Sequence, residues 1–319
     1  MARKLLDVAA PRIDRRAAAL TGLTTVLAGS GAGTLSWLAY RMLTAQAGVA
    51  RGVIGRDTSR PPEADGIYTA GCLAPEPWRT GTPFDLHLMI FGDSTAGGVG
   101  CATADGVPGV RIARAVAEAT GRRIRLSTKA ISGATSKGLA GQVDAVFVAG
   151  PPPDVAIIFV GANDVTKKHS IGASARRLGA AVARLRAAGS VVVVGTCPDL
   201  GTVSAIPQPL RALVHNWGAR LAAAQAAATT AAGGLAVPLS DLGPEFLTAP
   251  DRMFSADGFH PSADGYQLAA GRILPTLLAA LETRGVETDH GPGPTQRGLT
   301  ARLRALVSQT QTITTMRGR

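Results

Sequence analysis

Residues 86–98 read LHLMIFGDSTAGG: six almost wholly apolar positions, then a glycine, an acid, a serine and a glycine-rich turn. A short continuous apolar run closed by a turn is what a strand buried on both faces of a parallel sheet requires. The same pattern recurs downstream. Residues 123–128 alternate and run into Ile131-Ser132-Gly133. Val155 to Val160 ends at Gly161-Ala162-Asn163-Asp164, Val191 to Val194 ends at Gly195, and Leu235 to Leu239 precedes Ser240-Asp241. Between these runs lie helical patterns at Val110–Thr120, Lys137–Phe147, Ile171–Ala188, Pro209–Ala232 and Ser262–Leu281. Five strands alternating with helices predict a three-layer α/β/α sandwich around a central, mostly parallel five-stranded sheet, a flavodoxin-like arrangement. In such sheets ligands sit at the carboxyl ends of the strands.

Three glycine-bearing clusters directly follow predicted strand ends, and a fourth follows the last strand after a loop. In Gly92-Asp93-Ser94 a glycine-flanked serine leaves its hydroxyl uncrowded. No GxxxxGK[ST] or GxGxxG spacing marks it as a phosphate loop. Gly133, in Ile131–Ser136, allows a ligand to approach its backbone N–H, although the segment also reads as a strand-to-helix loop with a Thr or Ser cap. Asn163 offers an amide to a developing oxyanion, or else caps its own turn. In Asp257-Gly258-Phe259-His260-Pro261 a carboxylate three residues ahead of His260 is placed to fix its tautomer and balance its charge. His87, His169 and His215 lie in structural or solvated patterns. His290 follows Glu287 but sits at a Gly/Pro break.

Ser94, Gly133, Asn163 and the pair Asp257/His260 resemble, in order, the signature blocks of the SGNH/GDSL hydrolase superfamily. The resemblance covers about residues 85–282. The ISGATS segment at 131–136 is similar to the ISGDTS of bacterial esterase and thioesterase members. Thr95 stands where Leu is usual and Ala134 where an acid is usual, which blurs the subfamily. The resemblance implies Ser94 as nucleophile, His260 as base, Asp257 as its orienting acid, and an oxyanion hole of Ser94, Gly133 and Asn163. It implies a serine carboxylesterase or lipase for short- to medium-chain acyl esters. The alternatives are an acetylesterase or O-acyltransferase on cell-envelope polysaccharide, and a catalytically dead envelope-binding module. Cofactors and metals are expected to be absent.

Composition narrows the partners. The net charge of +11 comes from residues 1–60 (nine Lys/Arg against three acids) and 297–319 (five Arg, no acid), while 61–296 holds nineteen of each. A neutral body lacks the basic stripe that nucleic acid needs. Cys72, Cys101 and Cys197 form no CxxC metal or redox motif. They read as one Cys72–Cys101 disulfide plus a thiol, or as three small apolar residues.

The chain divides into a basic N-terminal segment (1–47), a Gly/Pro/Arg-rich linker merging into the domain (48–83), the hydrolase domain (84–284) and a basic tail (285–319). Ala17 to Tyr40 is uncharged over 24 residues and preceded by Arg3, Lys4, Arg12, Arg15 and Arg16. That predicts a single-pass signal-anchor with the catalytic body extracytoplasmic. A signal peptide cleaved near Ala45-Gln46-Ala47, which makes the enzyme secreted, and a soluble helix are the competing readings. Leu299, Leu303, Leu306 and Val307 recur at helical spacing beside Arg302 and Arg304, as in a basic amphipathic helix on an anionic membrane.

Overall fold

A computed structural model describes residues 37–48, 52 and 60–286. Six strands form one sheet in the order β1-β3-β2-β4-β5-β6. They are β1 (Gly66–Tyr68), β2 (Leu86–Gly92), β3 (Ile124–Thr128), β4 (Val155–Phe159), β5 (Val191–Gly195) and β6 (Leu235–Val237). β2 to β6 are parallel, as their apolar runs predict, and β1 pairs antiparallel with β3. β1 is an addition to the predicted five strands. It lies within the stretch read as a linker, where three residues are too few for a periodic signal, and its register is held by Gly66–Leu126 and Tyr68–Ile124 pairing.

Side chains alternate across the sheet although most positions of its central strands are apolar. Leu88, Ile90, Ile157 and Val193 pack with helices α3 (Pro108–Thr120) and α10 (Ala263–Thr283). Met89, Phe91, Ile158 and Val194 pack with α4 (Leu139–Ala149) and α6 (Ile171–Ala187). Helix α7 (Leu210–Ala231) lies beside α6. Because β3 and β4 flank β2 on opposite sides, the chain reverses direction across the sheet at β2, and the crevice opens at its carboxyl end.

Two buried glutamines hold that end. Gln142 of α4 accepts from Gly92 N–H at 2.9 Å and donates to Gly92 C=O at 2.8 Å. Gln225 of α7 accepts from Cys197 N–H at 2.7 Å and donates to Val160 C=O at 2.8 Å. Each side-chain amide satisfies backbone groups that the ladder no longer pairs, which burial would otherwise make costly.

The single-pass membrane anchor is a correction. Among the described residues no helix is long and apolar enough to cross a membrane. Most of Ala17–Tyr40 lies outside the described residues. The helical run 37–48 carries Arg41 and, at 1.5 Å per residue, is about 18 Å long against a hydrocarbon core of about 30 Å. The extracytoplasmic placement by a membrane anchor rested on the same segment and is corrected with it. Helix α1 (37–48) instead lies against the body: Gln46 donates to Gln208 C=O at 2.6 Å and accepts from Leu210 N–H at 3.1 Å. The C-terminal amphipathic pattern at 299–307 lies outside the described residues. All three cysteines are free thiols, so Cys72 and Cys101 are not bridged.

Gly92 has φ +135°, and a Cβ there would lie 1.8 Å from the Phe159 carbonyl oxygen. Gly92→Ala is therefore expected to cost more than about 3 kcal/mol, read as a lowered midpoint in chemical unfolding. A midpoint within error of the wild type means that the two strand ends are not packed this closely.

Candidate active site

Ser94 opens a one-turn helix, α2 (Ser94–Gly97), capped at its start by Asp93, whose carboxylate accepts from Thr95 N–H at 2.9 Å. Gly98, at φ +80°, ends it after one turn. The serine is thus held on a tight strand-to-helix turn with its hydroxyl outward and its N–H engaged by no group of the described protein.

His260 arrives from the far end of the chain. Its loop is pulled in by Tyr266, whose hydroxyl donates to Val99 C=O at 2.7 Å. Gly100 faces this loop, and a Cβ there would lie 2.6 Å from Pro261 C=O. His260 Nε2 is 2.9 Å from Ser94 Oγ, and Nδ1 is 2.5 Å from Asp257 Oδ2. The other oxygen of Asp257 accepts from Ser255 Oγ, Phe259 N–H and His260 N–H, each at 2.8 Å. Burial pushes the Asp257 pKa up, but these bonds together outweigh it and hold the pKa below the ordinary carboxylate value. Asp257 stays ionised and keeps the proton on Nδ1, so Nε2 presents its lone pair to the serine. The three residues read from the sequence as catalytic are brought together.

The other two oxyanion-hole candidates, Gly133 and Asn163, follow the ends of β3 and β4. Gly133 occupies an exposed turn at φ +75° with its N–H unengaged, and its carbonyl accepts from Lys167 Nζ at 2.7 Å. Asn163 sits in the first turn of α5 (Ala162–Thr166) and its amide donates to Asp93 Oδ2 at 3.2 Å.

Asp164, read from the sequence only as a turn former, is a hub. It is 1% exposed and accepts from Ser136 Oγ, Ser174 Oγ and Ser136 N–H within 2.8 Å, with His169 Nδ1 at 3.3 Å. It thereby ties the Gly133 segment to the Asn163 helix. Asp93 was likewise passed over, although an acid between a buried strand and a nucleophile is a signal in itself. Burial pushes its pKa up to about 6, against the bonds from Thr95 and Asn163 and the field of His260. Of the remaining histidines, His87 is buried on Ser127 at 3.0 Å, with burial pushing its pKa down to about 4. His215 pairs with Asp199 at 2.7 Å. His290 lies outside the described residues. Among the described residues no group of three or more His, Cys, Asp or Glu is arranged to hold a metal.

A cavity of about 80 Å³ adjoins the triad at Asp93, Thr95 and His260 and runs beneath the sheet's edge between Phe159, Gly195, Leu239, Phe246, Phe254 and Ala269. Its walls are mainly apolar.

Residues 90–268 match the GDSL-like Lipase/Acylhydrolase family. The chain belongs to that family. It is 55% identical over 298 residues to GDSL-like esterase Rv1075c of Mycobacterium tuberculosis, covering 88% of this chain and 95% of the relative. Among solved structures, the esterase EstA from Pseudoalteromonas sp. is 18% identical at a TM-score of 0.49, covering 62% of this chain and 100% of its own. Axe2, an acetylxylan esterase from Geobacillus stearothermophilus, is 21% identical at 0.46, covering 60% and 93%. The chain is a GDSL/SGNH-type serine ester hydrolase with Ser94, His260 and Asp257 as its catalytic cluster.

Asp257→Asn is expected to lower kcat by about 10⁴-fold by stabilising the wrong histidine tautomer. A loss below tenfold in ester turnover removes Asp257 from the cluster. Asp93 bears on stability. Its folded pKa lies above the unfolded value, so its contribution is fully present below about pH 4 and is lost as pH rises through about 6. Relative to Asp93→Asn, the wild type should therefore gain stability on acidification from pH 7 to 4.5, measured by thermal unfolding. Parallel pH profiles for the two proteins contradict this.

Proposed function

We propose that the enzyme cleaves esters of short acyl chains, with Ser94 N–H, Gly133 N–H and the Asn163 amide holding the oxyanion. The observation that carries this reading is the small apolar cavity beside His260. A dry cavity of about 150 Å³ takes a benzene ring. One about half that size suits an acyl chain of roughly two to four carbons. His260 Nε2 takes the Ser94 proton as Oγ attacks the ester carbonyl, and the imidazolium that forms is balanced by Asp257. The same proton then goes to the leaving alcohol. Water, deprotonated by His260, attacks the acyl-enzyme and restores Ser94.

Support for the oxyanion assignment is positional. Two N–H groups, Ser94 and Gly133, are unengaged, and Asn163 already points its amide at the residue next to the nucleophile. Asn163→Ala is expected to lower kcat by about 10²–10³-fold with KM little changed. An unchanged kcat takes Asn163 out of the site.

An acetyl group also fits the cavity, so acetylesterase or acyl-transfer chemistry on an envelope polysaccharide shares the same site and differs only in the alcohol. Hydrolysis of p-nitrophenyl esters from acetate to palmitate, with Ser94→Ala as control, tests the main reading. The optimum is expected at acetate to butyrate, and Leu239→Ala, which removes a cavity wall, should move it to longer chains. An optimum at or beyond octanoate overturns the short-acyl assignment. Activity found only when a sugar hydroxyl is offered as acceptor favours transfer.

A further inference from the structure

The body of this arginine-rich protein contains four lysines, and all four lie in the two segments that follow β3 and β4 and carry Gly133 and Asn163. The whole sequence has five Lys, and only Lys4 lies outside residues 129–168. Lys129 directly follows β3 and Lys137 lies in the turn after Gly133. Lys167 and Lys168 close the helix that begins beside Asn163. All four are exposed. Segments 129–138 and 161–169 set these lysines against one acid, Asp164, which is buried and taken up by Ser136, Ser174 and His169.

Five arginines elsewhere on the surface are in ion pairs, Arg114–Asp105, Arg123–Glu76, Arg184–Asp144, Arg252–Asp264 and Arg272–Asp241. No lysine among the described residues has a carboxylate within ion-pair distance. Lys129 does lie in the field of Asp65. Lys167 Nζ is fixed at 2.7 Å from Gly133 C=O, so one ammonium stands at the turn beside the reacting centre. Lys168 stands over the Tyr40 ring of α1 at 5.8 Å. Solvated lysines are usually scattered. Here a body with no net charge, the four lysines included, carries a locally positive rim on the segments of Gly133 and Asn163, and a rim of one sign attracts and orients the opposite charge.

We infer that the enzyme's substrates carry an anionic group, a carboxylate or a phosphate, on the alcohol half of the ester, bound by the rim formed by Lys137, Lys167 and Lys168. This rests on the short-acyl reading above: the apolar cavity takes the acyl half, which leaves the alcohol half to the rim. It goes beyond that reading by naming the chemistry of the alcohol.

The test compares acetate esters that differ only in the alcohol's charge: 4-acetoxybenzoate and 4-acetoxyphenyl phosphate against methyl 4-acetoxybenzoate. Each kcat/KM is divided by the hydroxide-catalysed rate of the same ester to remove intrinsic reactivity. At about 20 mM NaCl the full-length enzyme should prefer at least one anionic ester by about fivefold or more, what one screened charge contact supplies. The preference should fall toward one at about 0.5 M NaCl and in Lys137→Gln/Lys168→Gln. Which anion is preferred tells carboxylate from phosphate.

A wild-type ratio near one overturns the inference. So does a preference that neither salt nor the double substitution reduces. An equal fall for neutral and anionic esters in the double variant also overturns it, because the cations would then act on the charge of the transition state. If no acetate ester turns over while longer acyl esters do, the short-acyl reading has failed, and the charge comparison is made on the acyl length the enzyme accepts.

Discussion

The structure depends on how closely the ends of β2 and β4 approach at Gly92. That residue's N–H and C=O are both met by Gln142, its carbonyl also accepts from Ile131 N–H at 3.0 Å, and the next N–H, of Asp93, bonds to Phe159 C=O at 3.2 Å. Three segments therefore converge on one backbone position, each by hydrogen bonds that cannot be shed into water. The nucleophile follows two residues later, the Gly133 turn is hung from Ile131, and the Asn163 helix begins three residues after Phe159. A side chain at position 92 would force these segments apart before it disturbed the core.

Around that point the polar groups form a layered support. Asp93 caps the nucleophile's turn and holds the Asn163 amide, and Asp164 binds the Gly133 segment to the Asn163 helix. The two acids differ in what balances them. Asp164 is surrounded by donors, whereas the burial of Asp93 outweighs its donors and leaves its ionised form strained. A buried carboxylate kept ionised beside a nucleophile lends its field to the imidazolium that appears during catalysis, in addition to the share supplied by Asp257.

Much of this was legible in the chain. The five parallel strands lie where the apolar runs place them, within one or two residues, and three of the runs, those of β2, β4 and β5, close at a glycine. Ser94, His260 and Asp257 were legible because the four clusters resemble, in order, the signature blocks of the SGNH/GDSL family. What was illegible was contact between segments. Nothing in the residues around Asp93 announces Asn163, 70 positions away. Gln142 and Gln225 look like ordinary helical polar residues until the strand ends they serve are in place. β1 was too short to carry a pattern. The stretch before Arg41 read as an anchor from its length and lack of charge, whereas the described helix, 37–48, carries Arg41 and spans about 18 Å.

The triad joins residue 94 to residue 260, across 166 positions of chain. Its histidine loop is seated through Tyr266 on Val99, so the base reaches the serine only when α10, the last described helix, packs against α3. During synthesis all six strands of the sheet and the serine turn emerge before the base does. A chain that stops short of His260 thus carries its nucleophile unactivated, and ester cleavage requires the C-terminal part of the fold to be in place.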